Sequence, residues 1–148
     1  EFYETFCRET GTRPDYDALE LAGSAIFEVN TPVFTIAAAL WQARYRLGIL
    51  SNTSESHFNY FASGRYALIP STFEVLALSF RIKAMKPDPA IYQAAAELAG
   101  VPPTEIFFVD DIPGHVAGAI AAGFDAVQFT TAKQLAKDLR ARGVRLNY

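Results

Sequence analysis

Ile106-Phe107-Phe108-Val109-Asp110-Asp111-Ile112-Pro113-Gly114-His115 runs four apolar residues straight into two adjacent acids and then into a Pro-Gly break. A short apolar run bounded by turn residues reads as a strand buried on both faces, the kind that parallel sheets contain. Its C-terminal end then delivers Asp110 and Asp111 to the edge where open α/β sheets bind ligands. Two neighbouring carboxylates repel each other unless a cation or a hydrogen-bond network offsets the charge. The pair therefore asks for a cation or a hydrogen-bond network opposite it.

Working outward, strand-like runs alternate with helical ones. Residues 45–50 form an apolar strand that ends in the polar cluster Ser51-Asn52-Thr53-Ser54, and 75–80 form a second. Residues 106–109 are the third and 126–129 the fourth. Between them, 55–61 read as a helix. Asp88 caps a helix over 90–99, with Pro89 in its first turn and Gly100 as its stop. A small-residue helix spans 116–122, and a terminal helix spans 132–142. Upstream, Thr31 and Pro32 open a helix that continues to about residue 44. Strands alternating with helices imply βαβ units and a parallel sheet, whose strand C-termini share one edge. Ser51 and Asp110-Asp111 would then face the same edge. Residues 1–29 read as two helices and stand apart from this core; Gly11 to Pro14 separates them, and Asp15 or Asp17 caps the second.

The 148 residues suffice for one domain with a substantial core, and 51% hydrophobic with 20% charged residues argues against disorder. Net charge is -3 and no basic stripe is visible, so nucleic acid is not an expected partner. The single Cys7 cannot form an internal disulfide, and the two histidines, His57 and His115, are far apart in sequence. A reducing, cytoplasmic location is the expectation. No stretch reaches transmembrane length. Cys7 itself reads as a small buried hydrophobe.

Ser51-Asn52-Thr53, Lys86-Pro87 and Asp110-Asp111 thus fall near one sheet edge in chain order. A hydroxyl with backbone N–H groups binds a phosphoryl oxygen, a lysine neutralises phosphate and carboxylate alike, and two acids hold a hard cation such as Mg²⁺. Phosphoryl transfer needs that combination of positioning and charge stabilisation. Taken singly, each residue has a plainer reading: Ser51 and Thr53 as helix caps, Lys86 as a solvated loop residue, the acids as a polar strand end.

Leu47-Gly48-Ile49-Leu50-Ser51-Asn52-Thr53, Met85-Lys86-Pro87-Asp88-Pro89-Ala90-Ile91-Tyr92 and Phe108-Val109-Asp110-Asp111 together resemble motifs two, three and four of the haloacid dehalogenase-like hydrolases. The nearest variety is the subfamily with a helical cap inserted early in the chain. The resemblance covers roughly residues 30–130. It implies a Rossmann-like α/β core over 30–148 and, over 1–29, the remnant of a cap. Ser51 would bind the transferring phosphoryl group, with the Asn52 backbone beside it. Lys86 would pair with the nucleophilic aspartate and stabilise phosphate charge. Asp111 would ligate Mg²⁺ directly, and Asp110 through water or by orienting the site. His115 stands where many relatives carry Asn. Members that displace halide need no metal and generally lack an Asp-Asp pair, so the pair favours a Mg²⁺-dependent phosphatase of a small phosphorylated metabolite over a dehalogenase. The expected assembly is a monomer or homodimer.

The family's first motif, a strand ending in Asp-x-Asp, supplies the nucleophile. The only such triplet here, Asp15-Tyr16-Asp17, follows Gly11-Thr12-Arg13-Pro14 instead of an apolar run, and reads as a helix start. The expectation is therefore a core without its first strand, inactive alone, within a parent that is an enzyme. A non-catalytic binding or regulatory domain is the alternative. A phospho-accepting receiver domain fits poorly, because its acids come first and its lysine last.

Overall fold

The computed structural model describes residues 2–66 and 68–145. Helix α1 (Phe2–Thr10) and helix α2 (Tyr16–Ser24) come first, followed by α3 (Thr31–Gln42), β1 (Gly48–Ser51) and α4 (Glu55–Ala62). Next come β2 (Val75–Leu78), a single helical turn α5 (Ser79–Ile82) and α6 (Pro89–Ala99). A 3₁₀ turn at Pro103–Glu105 leads to β3 (Phe107–Asp110), α7 (Pro113–Ala121), β4 (Asp125–Gln128) and α8 (Ala132–Ala141).

The caps show why these segments are helical. Asp15 Oδ1 accepts the Ala18 N–H at 2.9 Å and Asp88 Oδ1 that of Ala90 at 2.9 Å, so both acids satisfy otherwise unpaired first-turn donors. Asp15-Tyr16-Asp17 is thus a helix start, as its pattern predicts. Three details differ from the sequence reading. Asn30, not Thr31, caps α3, since its carboxamide oxygen reaches the Val33 N–H. Ser54 caps α4 in place of Ser51 or Thr53. The second strand stops at Leu78, because Ser79 Oγ exchanges hydrogen bonds with the N–H and C=O of Thr53, which draws residue 79 off the strand.

All strand pairing is parallel, as expected, with Ser51 opposite Leu78 and Asp110 opposite Gln128. The single sheet of the sequence reading is not what the described residues form: β1 pairs with β2, β3 pairs with β4, and β1 and β3 do not pair. Helices cover both faces. On one, Ile91, Tyr92, Ala95 and Ala96 of α6 and Ala119 of α7 pack with Ala77, Phe108 and Phe124. On the other, Ile36 of α3 and Leu135, Ala136 and Leu139 of α8 pack against Phe107 and Val109. Alternation along β3 explains the split, because Phe107 and Val109 point one way and Phe108 the other. Asp110 shares the parity of Phe108 and so points toward α6 and α7. Helix α2 packs on α4, where Ser56 Oγ donates to Glu20 at 2.6 Å and the Phe27 ring meets His57 and Phe61 edge-on. None of the described helices is long and apolar enough to cross a membrane.

Candidate active site

Strand β1 ends at Ser51 and strand β3 at Asp110, and Lys86 reaches both strand ends from the loop between α5 and α6. Its Nζ donates to the Leu50 carbonyl at 2.9 Å and to Asp110 Oδ2 at 2.5 Å. Of the acid pair, Asp110 has its charge offset by Lys86. Both side chains are only 8% exposed, so the ion pair sits in low dielectric where its attraction is strong and its isolation would be costly. The ammonium also stands 5.5 Å from the centre of the Phe108 ring, on the α6/α7 face.

Asp110 is the hub. Its Oδ1 accepts the Ile112 N–H at 2.9 Å, and His115 Nδ1 lies 3.1 Å away. Burial pushes the Asp110 carboxyl up, but hydrogen bonds from Lys86 and Ile112, the Lys86 charge and the His115 contact outweigh it and hold the group below the ordinary carboxylate range. His115, in the first turn of α7, is fixed from behind by Tyr92, whose hydroxyl donates to its carbonyl at 2.7 Å. Burial, aided by the Asp110 charge, pushes the Tyr92 phenol up, so it stays a donor.

The two acids are therefore unequal. Asp111 lies beyond the strand end and is exposed; its backbone carbonyl accepts from Gln128 Nε2 at 2.9 Å, and its carboxylate makes no hydrogen bond among the described residues. Asp110, Asp111, Asn30, Val33, Val109, Phe129 and Leu135 line a cleft of about 410 Å³ beside β3. Two adjacent carboxylates are hard, anionic oxygen donors that suit Mg²⁺. Among the described residues no three His, Cys, Asp or Glu side chains converge as a ligand set.

Of the predicted site residues, Lys86 and Asp110 are in contact, and Ser51 ends the strand whose Leu50 carbonyl Lys86 binds. The Asn52 side chain makes contacts that the sequence does not announce. Its Oδ1 accepts the Lys86 N–H at 2.7 Å and its Nδ2 donates to the Lys86 carbonyl at 3.0 Å. Tyr92 and Gly118 escaped sequence reasoning. A Cβ on Gly118 would stand 2.9 Å from the Tyr92 hydroxyl and 3.0 Å from the Pro87 carbonyl, so this glycine lets α7 close on the residues behind the site. The phase of Tyr92 with Ile91, Ala95 and Ala96 marks it as core, but nothing in the sequence shows that its hydroxyl reaches His115.

Solved structures share this fold. A HAD-family enzyme from Bacteroides thetaiotaomicron, an aspartate-to-alanine mutant in complex with magnesium and inorganic phosphate, aligns over 87% of this chain and 68% of its own, with TM-score 0.77 and 25% identity. A HAD-like hydrolase from Porphyromonas gingivalis aligns over 95% of this chain and 72% of its own, at TM-score 0.79 and 24% identity. In sequence, a phosphatase of Mycobacterium tuberculosis is 40% identical over 95 residues, or 60% of this chain and 42% of that protein. A chloroplast flavin mononucleotide hydrolase of Arabidopsis thaliana is 39% identical over 62 residues, 42% of this chain and 25% of that protein. The chain thus spans less than half the length of these two relatives. The model of one family, the haloacid dehalogenase-like hydrolases, matches residues 5–123, and with the parallel α/β fold and the order of Ser51, Lys86 and Asp110 this places the chain in that family.

Proposed function

We propose that the chain is the phosphate-handling core of a Mg²⁺-dependent phosphatase that acts on a small phosphorylated metabolite through an aspartyl-phosphate intermediate. The observation that carries this reading is the Lys86 ammonium, held between the end of β1 and the Asp110 carboxylate. A fixed cation beside a strand-end hydroxyl is what a transferring phosphoryl group needs, because catalysis of its transfer is mostly positioning and charge stabilisation. Ser51 Oγ and the Asn52 N–H would bind phosphoryl oxygens, and Lys86 would offset their charge. Asp111, with its carboxylate unengaged among the described residues, would hold the cation directly. Asp110, already bound by Lys86 and Ile112, would act from the outer sphere. The cation, when bound, supplies further neutralisation of phosphate charge.

The nucleophilic aspartate in this proposal comes from a strand lying between β1 and β3. The support is that these strands do not pair with each other among the described residues and that a cleft opens beside β3, lined by Val33, Val109, Phe129 and Leu135 as well as by Asn30, Asp110 and Asp111. Helices α1 and α2 would belong to a cap over the site. The test is phosphate release from aryl phosphates and small phosphate esters by the whole protein that carries this chain. Asp111→Ala should lower Mg²⁺-dependent turnover by about 10²-fold or more and leave the melting temperature within about 1 °C, as expected for an exposed, unpaired side chain. Undiminished turnover in that variant would overturn the assignment. Ordinary turnover by residues 1–148 alone would overturn the proposal of an external nucleophile.

A further inference from the structure

We propose that the Asn52 side chain is a positioning residue, which fixes the Lys86 backbone and so aims its ammonium between Leu50 and Asp110. The carboxamide uses both ends on one residue, accepting the Lys86 N–H at 2.7 Å and donating to the Lys86 C=O at 3.0 Å. Turning the amide over would set oxygen against carbonyl oxygen and NH₂ against N–H, so the orientation is fixed by its partners. Among the described residues these are the only hydrogen bonds to the Lys86 backbone.

The residue that follows Lys86 packs closely on α7. The next carbonyl, that of Pro87, comes so near Gly118 that an added Cβ there would lie 3.0 Å away. Lys86 is therefore gripped by Asn52, and its neighbour Pro87 is held close to α7. The grip matters because lysine is long and flexible. A swing of about 10° at its Cα moves an ammonium roughly 6 Å away by about 1 Å. Displacement of that size separates a made ion pair from a broken one, and at a reacting centre it costs on the order of 10²-fold in rate. One Nδ2 hydrogen is committed to the Lys86 carbonyl, which leaves the other Nδ2 hydrogen and the backbone N–H of Asn52 as donors for a phosphoryl oxygen.

The catalytic half of this proposal takes Lys86 as the phosphate-binding cation and so rests on the function proposed above; the clamp itself does not. The decisive experiment follows the Lys86 ammonium by ¹H–¹⁵N NMR in the whole protein, where burial and two acceptors make its protons exchange slowly with water. Asn52 is exposed, so its loss opens no core cavity. Asn52→Ala should accelerate that exchange about ten-fold or more while the Tyr92 and Phe108 ring signals stay in place. Exchange as slow as in the unmutated protein would overturn the proposal. Should the ring signals move, Asn52→Asp decides instead; it keeps the acceptor for the Lys86 N–H and loses the donor to its C=O, and unaltered exchange there overturns the clamp.

Turnover gives the second readout. Asn52→Ala should lower kcat about 10²-fold, yet cost less than about 2-fold more when added to Lys86→Ala, since a residue acting through lysine has nothing left to position. Fully additive losses would refute a role through Lys86. A protein that releases no phosphate before mutation would remove the phosphatase reading and leave the exchange experiment to judge the clamp.

Discussion

Replacing Lys86 by methionine removes a charge but keeps most of the side chain's length and its seat on the Phe108 ring, so the change isolates electrostatics from packing. The Asp110 carboxylate, 8% exposed, would then be buried with the Ile112 N–H and His115 but without its ion-pair partner. Removing one member of a buried pair costs about 3–5 kcal/mol, and the two surviving contacts place this case near the lower end, at about 3 kcal/mol. For a chain of this size that corresponds to a fall of roughly 6–12 °C in melting temperature at neutral pH. The pH dependence follows from the sign of the Asp110 shift. Its carboxyl is held below the ordinary range, so its contribution to stability is present above the unfolded-state value and is lost as pH falls through the folded one. In Lys86→Met the burial that pushes the group up is no longer outweighed, and the folded state binds the proton more tightly than the unfolded chain. The gap between the two proteins should therefore be widest near neutrality and close as pH falls, and Lys86→Met with Asp110→Asn should recover part of the loss. Thermal unfolding followed by circular dichroism from about pH 3 to 7 measures all of this. A loss below about 2 °C, or a gap that stays constant with pH, would refute the account of Asp110 as a buried charge held by Lys86.

Gly118→Ala should destabilise by about 2 kcal/mol despite the better helix propensity of alanine, because the new methyl meets the Pro87 carbonyl and the Tyr92 ring at 3.0 Å and only the far end of Tyr92 could give way. Gly114→Ala in the same helix meets nothing within 4 Å and should cost nothing, so equal urea midpoints for the two variants would contradict the steric argument. Arg142→Ala should cost about 1 kcal/mol, the modest figure reflecting a half-exposed site. It severs a two-point pair with Asp125 and a cation–π contact at 4.3 Å with Phe107. The Asp125 carboxyl is held low chiefly by the Arg142 hydrogen bond, so this deficit should shrink as acid protonates Asp125, and an unchanging deficit in acid would argue against the pairing.

The sequence made the parallel α/β class readable because both faces of β3 are buried and its run of Phe and Val carries no alternation to mistake. Asp15, Asp88 and Gly100 were legible for local reasons: caps and αL stops depend on residues within one turn. The division into two strand pairs was not, since pairing joins segments far apart in the chain. Nor was the grip of Asn52 on Lys86, because a polar residue after a strand gives no sign of where its carboxamide points. Gly118 looked like one more small residue in a helix, and only the approach of Pro87 and Tyr92 shows that it is required.

The acid pair shows where local reading stops and geometry decides. Asp110 and Asp111 are chemically identical neighbours, yet strand parity turns Asp110 inward with Phe108 toward Lys86, while Asp111 falls past the last ladder position into solvent. A substitution at Asp110 must therefore disturb stability and chemistry together, because it strands the Lys86 ammonium in a site almost closed to water. One at Asp111 touches no ion pair and no core contact among the described residues, so a loss of phosphate turnover there would report on chemistry alone. The two positions form an internal control: if both variants lost activity only in proportion to lost folded protein, the pair would be a structural charge cluster and not a cation site.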